Sequence, residues 1–208
     1  MGFSRRQFLG GVMISGLAAC AGAPAYRGPS GGPAPDGMRP VPNGAYDAWM
    51  AGFRARAEGA GYSRGFLNSA FRGTGYLPGV VERDRNQTEF SRTLEDYLSI
   101  AASDERIAKG RAAFARHRGT LMALESKYGV DAQIIAAIWG LESYYGERRG
   151  DIPVLSATTT LAFDGRRGSM FEKQTMAALR ILQEGHISPD RFMGSWAGAM
   201  GHTQFMPT

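Results

Sequence analysis

The chain has one cysteine, Cys20, in 208 residues. No intramolecular disulfide can form, so stability must come from a packed core, and the length suffices for one domain with such a core. Histidine is almost as scarce. His117, His186 and His202 are scattered and match no zinc-ligand spacing. No Asp-x-Asp-x-Asp-Gly loop offers a calcium site, and no glycine-rich loop follows a strand to cradle a phosphate. No metal or other cofactor is expected. Long apolar runs are missing too: Gly10 to Ala19 falls short of the ~20 residues that cross a bilayer. No useful stretch alternates apolar and polar residues as a strand does, and no repeat is visible. Lysine supplies 3 of the 24 basic residues and arginine the rest. With 29 glycines this reads as compositional bias, not as a nucleic-acid footprint, and no nucleic-acid partner is expected.

Residues 1–20 read as a targeting segment, outside the fold. Ser4-Arg-Arg-Gln-Phe-Leu9 resembles a twin-arginine export signal, and the apolar run behind it ends in Leu17-Ala-Ala-Cys20, which resembles a bacterial lipobox. Cys20 is then the expected lipid acceptor, and each buried acyl methylene adds about 0.8 kcal/mol of membrane affinity. The simpler alternative is an ordinary secretory signal with a cysteine near its cleavage site. Ala21 and Gly22 supply no Asp of the inner-membrane retention type, which points to the outer membrane. Residues 1–19 carry no acid, so their removal takes the net charge from +5 to +3, 22 basic against 19 acidic residues. That balance suits an anionic polymer without arguing for one. Residues 21–44, rich in Pro, Gly, Ala and Ser, read as a flexible tether.

From Ala45 the pattern turns helical. A first helix runs to about Glu58. Ser63 caps a second, which carries Phe66, Leu67, Ala70 and Phe71. Gly73 to Gly79 is a break, and the polar run Glu82 to Phe90 has no clear period and reads as a solvated loop. Helices are predicted over about 91–100 and from Ser103 to Tyr128, the latter stopped by Gly129, with Phe114, Leu121, Leu124 and Tyr128 inward. Asp151 to Pro153 is a turn. Two more helices cover about 154–163 and 170–184, the second with Phe171, Met176, Leu179 and Leu182 inward. A short helical segment or turn begins at Pro189. The fold class is mostly α-helical.

The stretch Asp131 to Gly146 is the chemical centre of this reading. Asp131 is a candidate N-cap and Gly146 a candidate residue just past the helix. Ile134, Ile135, Ile138 and Leu141 mark an apolar face. Glu142 follows Ile138 by four and Ile135 by seven, so it falls on that stripe. Burial and the negative end of the helix dipole both favour a neutral carboxyl, which can give a proton to a leaving oxygen. The bland alternative is a glutamate pointing to water at a helix end. Glycosidases commonly pair such an acid with a second carboxylate. Glu147, Asp151, Asp164 and Glu172 are nearest in sequence, and no pattern places any of them opposite Glu142.

Four stretches carry a resemblance. They are Gly140-Leu-Glu142-Ser-Tyr-Tyr-Gly146, Leu155 to Arg167, Ser195-Trp-Ala-Gly-Ala-Met-Gly-His-Thr-Gln-Phe-Met-Pro207, and the Asp84-Arg-Asn-Gln-Thr-Glu-Phe90 run. Together they resemble the membrane-bound lytic murein transglycosylase B family from about Ala45 to the last residue. The Gly-Ala-Met-Gly-x-x-Gln-Phe-Met-Pro block is the specific part. The resemblance implies a lysozyme-like helical catalytic domain over 45–208 that acts on peptidoglycan. Glu142 would serve first as acid, then as base. By the same match Ser195 lies near Glu142, Gln204 lines the sugar site, and Arg166 and Arg167 contact the muropeptide. Read alone, the arginines are a solvated loop pair, and the small residues around Met200 serve helix packing as readily as ligand approach. The implied partners are glycan strands, a membrane reached through the lipid, and cell-wall synthesis or remodelling proteins. A water-using muramidase of the same fold and a non-catalytic peptidoglycan-binding lipoprotein are the alternatives. The family continues well beyond its Gln-Phe-Met-Pro block, whereas this chain stops at Thr208, so the expectation is a catalytic domain incomplete at its C-terminus.

Overall fold

A computed structural model describes residues 37–86 and 93–208. The export signal, the lipobox with Cys20 and most of the expected tether lie outside these residues. The elements in order are α1 (Gly44–Gly59), α2 (Arg64–Ala70), α3 (Pro78–Arg85), α4 (Leu94–Ala101), α5 (Asp104–Tyr128), α6 (Ala132–Ser143), β1 (Ile152–Pro153), α7 (Val154–Asp164), α8 (Gly168–Gln183) and β2 (Met193–Gly194), with a 3-10 turn at Pro189–Arg191 before β2. The expected mostly helical class is what is observed.

The core is built around α7. Every residue from Val154 to Ala162 is buried. A helix enclosed on all sides needs partners for its polar groups, and the Ser156 and Thr158–Thr160 hydroxyls have them. Thr158 donates to the Val154 carbonyl at 3.0 Å and Thr159 to that of Leu155 at 2.5 Å. Thr160 and Ser156 accept from the backbone N–H groups of Leu77 (3.1 Å) and Gly75 (3.2 Å), tying the connection before α3 onto the core. Tyr46 of α1 reaches Thr159 at 2.7 Å. Burial pushes the Tyr46 phenol up to about 12, against the opposing effect of that hydrogen bond.

Around α7 stand α8, α3 and α1. Tyr46, Met50, Phe53 and Ala57 recur every three or four residues and form the inner face of α1. They join Leu67, Val154, Ala178 and Leu179 in one cluster. A second cluster holds Leu77, Val80, Ile152, Leu161, Phe171 and Met38. Met38 corrects the tether boundary. It is 3% exposed, Gly79 N–H donates to the Gly37 carbonyl at 2.8 Å, and Val41 N–H donates to that of Tyr76 at 3.0 Å. Composition alone put residues 37–43 with the tether. One apolar side chain and these two backbone bonds hold them to the domain instead.

The start of the polar run Glu82 to Phe90 is also corrected, while residues 87–90 of it lie outside the described residues. Residues 82–85 complete α3, begun by Pro78 and anchored by buried Val80 and Val81. Asp84 lies four residues after Val80 on the same buried side. Asp151 to Pro153 contributes a strand as well as a turn: Ile152 pairs with Gly194 and Pro153 with Met193, antiparallel. Two residues are too few to show alternation in sequence.

Helix α5 departs from helical geometry at His117 (φ −108°, ψ 16°) and ends at left-handed Gly129. Helix α6 returns along it. Glu125 accepts from Ala132 N–H at 2.9 Å near one end, and Arg106 donates to the Gly140 carbonyl at 2.7 Å near the other. The packed face of α6 is Ala132, Ala136, Gly140 and Ser143. Ile134, Ile138 and Leu141, predicted inward, are 54%, 47% and 48% exposed, and Tyr128 of α5 is exposed too. The reason is closeness: the small face lets the two backbones approach, and bulky isoleucines cannot enter that contact.

Candidate active site

Helix α6 ends at Ser143, and the chain turns left-handed at Tyr144 (φ 52°), Tyr145 (φ 60°) and Gly146 (φ 87°) in succession. Left-handed backbone at two tyrosines carries strain that the surroundings must hold. Both rings are gripped. The Tyr144 hydroxyl bonds Glu105, and its ring meets Lys109, Arg148 and Arg106 at 4.3, 4.5 and 5.0 Å. The hydrogen bond to Glu105, then burial, raises the Tyr144 phenol above its ordinary value. The Tyr145 ring lies against Gly110 and Gly140, where a Cβ on either glycine would strike it. Trp139 meets its edge at 5.6 Å and 81°.

Glu142 sits in this last turn of α6. It is exposed, and it makes no hydrogen bond or ion pair among the described residues. That corrects the expectation of a buried carboxyl: Glu142 does share the stripe of Ile138 and Leu141, but the stripe faces outward.

Ser143, beside it, is 1% exposed. Its hydroxyl donates to the His202 carbonyl at 2.6 Å and accepts from Gly146 N–H at 3.0 Å. The Trp139 indole N–H donates to His202 Nδ1 at 2.9 Å. These contacts dock the loop of residues 195–205 onto the end of α6. The loop folds on itself. Ser195 N–H donates to the Ala199 carbonyl at 2.8 Å, Ser195 Oγ accepts from Ala199 N–H at 3.1 Å, and Met200 bridges Phe205. Gly198 (φ 88°) is required here, since a Cβ would meet Thr158 of α7 at 2.7 Å. Gln204 (φ 50°) donates to the carbonyls of Gly201 (2.9 Å) and Arg149 (3.1 Å).

Ser195 and Gln204 are brought together: they line a cavity of about 230 Å3 with Arg83, Arg148, Asp151 and Trp196. Across the 146–151 segment lies a larger cleft, about 950 Å3, lined by Arg149, Arg191, Phe192 and Met200 among others. Ser195 spends its hydroxyl oxygen on Ala199 N–H and makes no bond to Glu142 among the described residues.

Arg166 and Arg167 are engaged elsewhere. Arg166 Nε donates to Asp84 Oδ2 at 2.6 Å and its Nη2 to the Asp84 carbonyl at 2.8 Å, while Arg167 bonds Asp84 Oδ1. Burial alone would raise the Asp84 carboxyl. The hydrogen bonds and charges of the two arginines outweigh it and hold Asp84 below the usual carboxylate range. Sequence reasoning missed Asp84, although its spacing from Val80 was a usable signal. It also missed the roles of Trp139, Ser143 and His202, which no local pattern announces.

Comparison with known proteins settles the family. Residues 45–208 match the model of the transglycosylase SLT domain. The chain belongs to this family. Membrane-bound lytic murein transglycosylase B of Escherichia coli K12 is 38% identical over 82 residues, 39% of this chain and 23% of that protein. The crystal structure of Pseudomonas aeruginosa SltB3 in complex with NAG-NAM-pentapeptide superposes with a TM-score of 0.74 at 41% identity, covering 78% of this chain and 43% of that one. Soluble lytic transglycosylase SltB1 of the same organism gives 0.64 and 30%, covering 79% and 55%. The fold is thus the lysozyme-like one of the lytic transglycosylases, and the resemblance carried by the four sequence blocks holds. The chain spans less than half the length of the first two relatives. Among the described residues no helix is long and apolar enough to cross a membrane.

Proposed function

We propose that this SLT-family domain is a peptidoglycan lytic transglycosylase. It cleaves the β-1,4 bond between N-acetylmuramic acid and N-acetylglucosamine and leaves a 1,6-anhydromuramoyl end. Glu142 first protonates the bridging oxygen as acid. The muramic sugar's own acetamido group assists at the anomeric carbon. Glu142, now a base, takes the proton from the C6 hydroxyl, which closes the anhydro ring without consuming water. An attacking group already held in the substrate has a large entropic advantage over a free water.

The observation that carries this reading is the state of the carboxylates. Water-using glycosidases commonly employ a second one. Three of the four neighbours in sequence are held in ion pairs, Glu147 with Lys109, Asp164 with Arg85 and Glu172 with Arg56, and the fourth, Asp151, lines the cavities. Glu142 stands unpaired among the described residues on an exposed helix end, where a polymer can reach it. A bound sugar that covers a carboxyl displaces water and favours its neutral form. Gln204, with its amide N–H groups held by backbone carbonyls, is suited to present its carbonyl oxygen to a sugar donor.

Product analysis tests the proposal. Mass spectrometry of digested sacculi is expected to show muramoyl ends one water lighter than hydrolysis gives. Glu142→Gln keeps the shape but can neither donate a carboxyl proton nor accept one, so it should abolish cleavage. Reducing ends instead would make the protein a muramidase, with Asp151, which lines both cavities, as the carboxylate to examine. Unimpaired cleavage by folded Glu142→Gln would refute the assignment of Glu142. Lipidation at Cys20, and with it a periplasmic, membrane-tethered location, is part of the same proposal.

A further inference from the structure

Among the described residues, Trp139 and His202 are joined side chain to side chain by a hydrogen bond between α6 and the loop that carries Gln204. An indole nitrogen can donate and cannot accept. His202 Nδ1 must therefore present its lone pair, which places the imidazole proton on Nε2 and requires the neutral ring. The ring also covers Gly146, where a Cβ would strike it, and the His202 carbonyl takes the Ser143 proton at 2.6 Å. One residue thus touches the end of α6 at Trp139 and Ser143 and the turn after it at Gly146, on both sides of Glu142 in sequence. Two positions further on, Gln204 lines the 230 Å3 cavity.

We propose that His202 is a positioning residue. Its neutral imidazole fixes the end of α6, and so Glu142, relative to the loop that carries Gln204. The proposal rests on the reading of Glu142 as the acid and base. The ionisable groups on the segments packed about His202 are few. His117 on α5 meets the Trp139 ring at 5.2 Å and 79°. Helix α6 carries Glu142, and the segment after it carries Glu147, Arg148 and Arg149. His202 forms no ion pair with any of them among the described residues. A protonated ring would turn a donor toward the indole N–H and lose the bond.

The test compares kcat and KM on sacculi for the wild type, His202→Ala, His202→Asn and Glu142→Gln, and follows the Trp139 indole N–H by NMR. The indole signal is identified by its loss in Trp139→Phe. Misplacing a catalytic group by about 1 Å can cost ~100-fold, so His202→Ala should lower kcat by about 10- to 100-fold with a smaller change in KM. In His202→Asn the side-chain oxygen stands close to the place of Nδ1 and accepts from the indole without titrating. It should recover most of kcat. The indole signal should shift in His202→Ala and stay close to its wild-type position in His202→Asn. Wild-type kcat in His202→Ala, an Asn variant as damaged as the Ala variant, or an indole signal indifferent to His202 substitution would each overturn the proposal. Activity in Glu142→Gln would overturn it differently, by removing its premise, while the indole signal would still report the contact itself.

Discussion

Asp84 offers a test in which the sign of a pH effect reverses. Its side chain is 2% exposed, and it accepts from two guanidinium groups that are themselves 47% and 36% exposed. In Asp84→Asn the amide turns a donor toward one of them. Hydrogen bonds to charged groups contribute about 1.5–3 kcal/mol each, but arginines this accessible recover much of that from water. The expected net loss is about 2 kcal/mol, or ~4–8 °C in Tm for a domain of this size. Removing both arginines instead leaves a buried carboxylate with no cation, which costs more because that charge cannot reach water. The pH dependence separates the two cases. In the wild type the folded carboxyl lies below its ordinary value of about 3.9. Its stabilisation is therefore fully present above that value and is lost as pH falls through the depressed one. In Arg166→Ala/Arg167→Ala burial acts alone and raises the carboxyl. The variant should then lose stability as pH rises through the raised value. Thermal unfolding followed by circular dichroism from pH 3 to 7 reads both slopes. Equal slopes in the wild type and the double variant, or an unchanged Tm in Asp84→Asn, would refute the account.

Three further outcomes follow from particular contacts. Thr159→Val leaves the Tyr46 hydroxyl buried without its partner and should cost about 1–3 kcal/mol, while Thr159→Val/Tyr46→Phe should cost less than the sum of the single changes; denaturant unfolding measures both, and strict additivity would count against the contact. Gly146→Ala meets both a left-handed backbone and the His202 ring, so it should lower Tm and kcat together; a wild-type Tm would show that the turn tolerates a side chain. Cys20→Ala should release the protein from membranes and abolish labelling by a fatty-acid analogue, and an unlabelled wild type would sink the lipid anchor.

Much of the fold was legible because its signals are local. Ser63 and Asp131 read as N-caps and Ser103 as a helix start, and each accepts from a backbone N–H of its helix. Gly129 was read as a stop and is left-handed. The central helix was legible as a helix but not as the centre, because the sequence shows the hydroxyls of Ser156, Thr160 and Thr159 without their distant partners at Gly75, Leu77 and Tyr46. The pairing of Asp84 with Arg166 and Arg167 joins residues some eighty positions apart, and the hydrogen bonds that shape the site span about 40 to 60. Glu142 stands out in the sequence by spacing and by resemblance, whereas His202, sixty residues away, has no local mark.

The misreading of α6 has a physical lesson that bears on function. Two stripes of equal regularity run along this helix, one large and apolar through Ile134, Ile138 and Leu141, the other small through Ala132, Ala136, Gly140 and Ser143. Ranking by hydrophobicity selects the first, since a buried isoleucine gains more than a buried alanine. Two helices joined by a three-residue turn, with Arg106 reaching the Gly140 carbonyl and Tyr145 lying against both Gly110 and Gly140, need closeness more than bulk. The small stripe therefore wins the contact with α5, and the large one turns out. Glu142 goes with it. Had the isoleucine face packed inward, the carboxyl would lie against α5, beyond the reach of a glycan strand. The choice of a small-residue helix contact is thus what presents Glu142 at the surface, while Ser143, one position on and on the inner face, is left to bond the loop that carries Gln204.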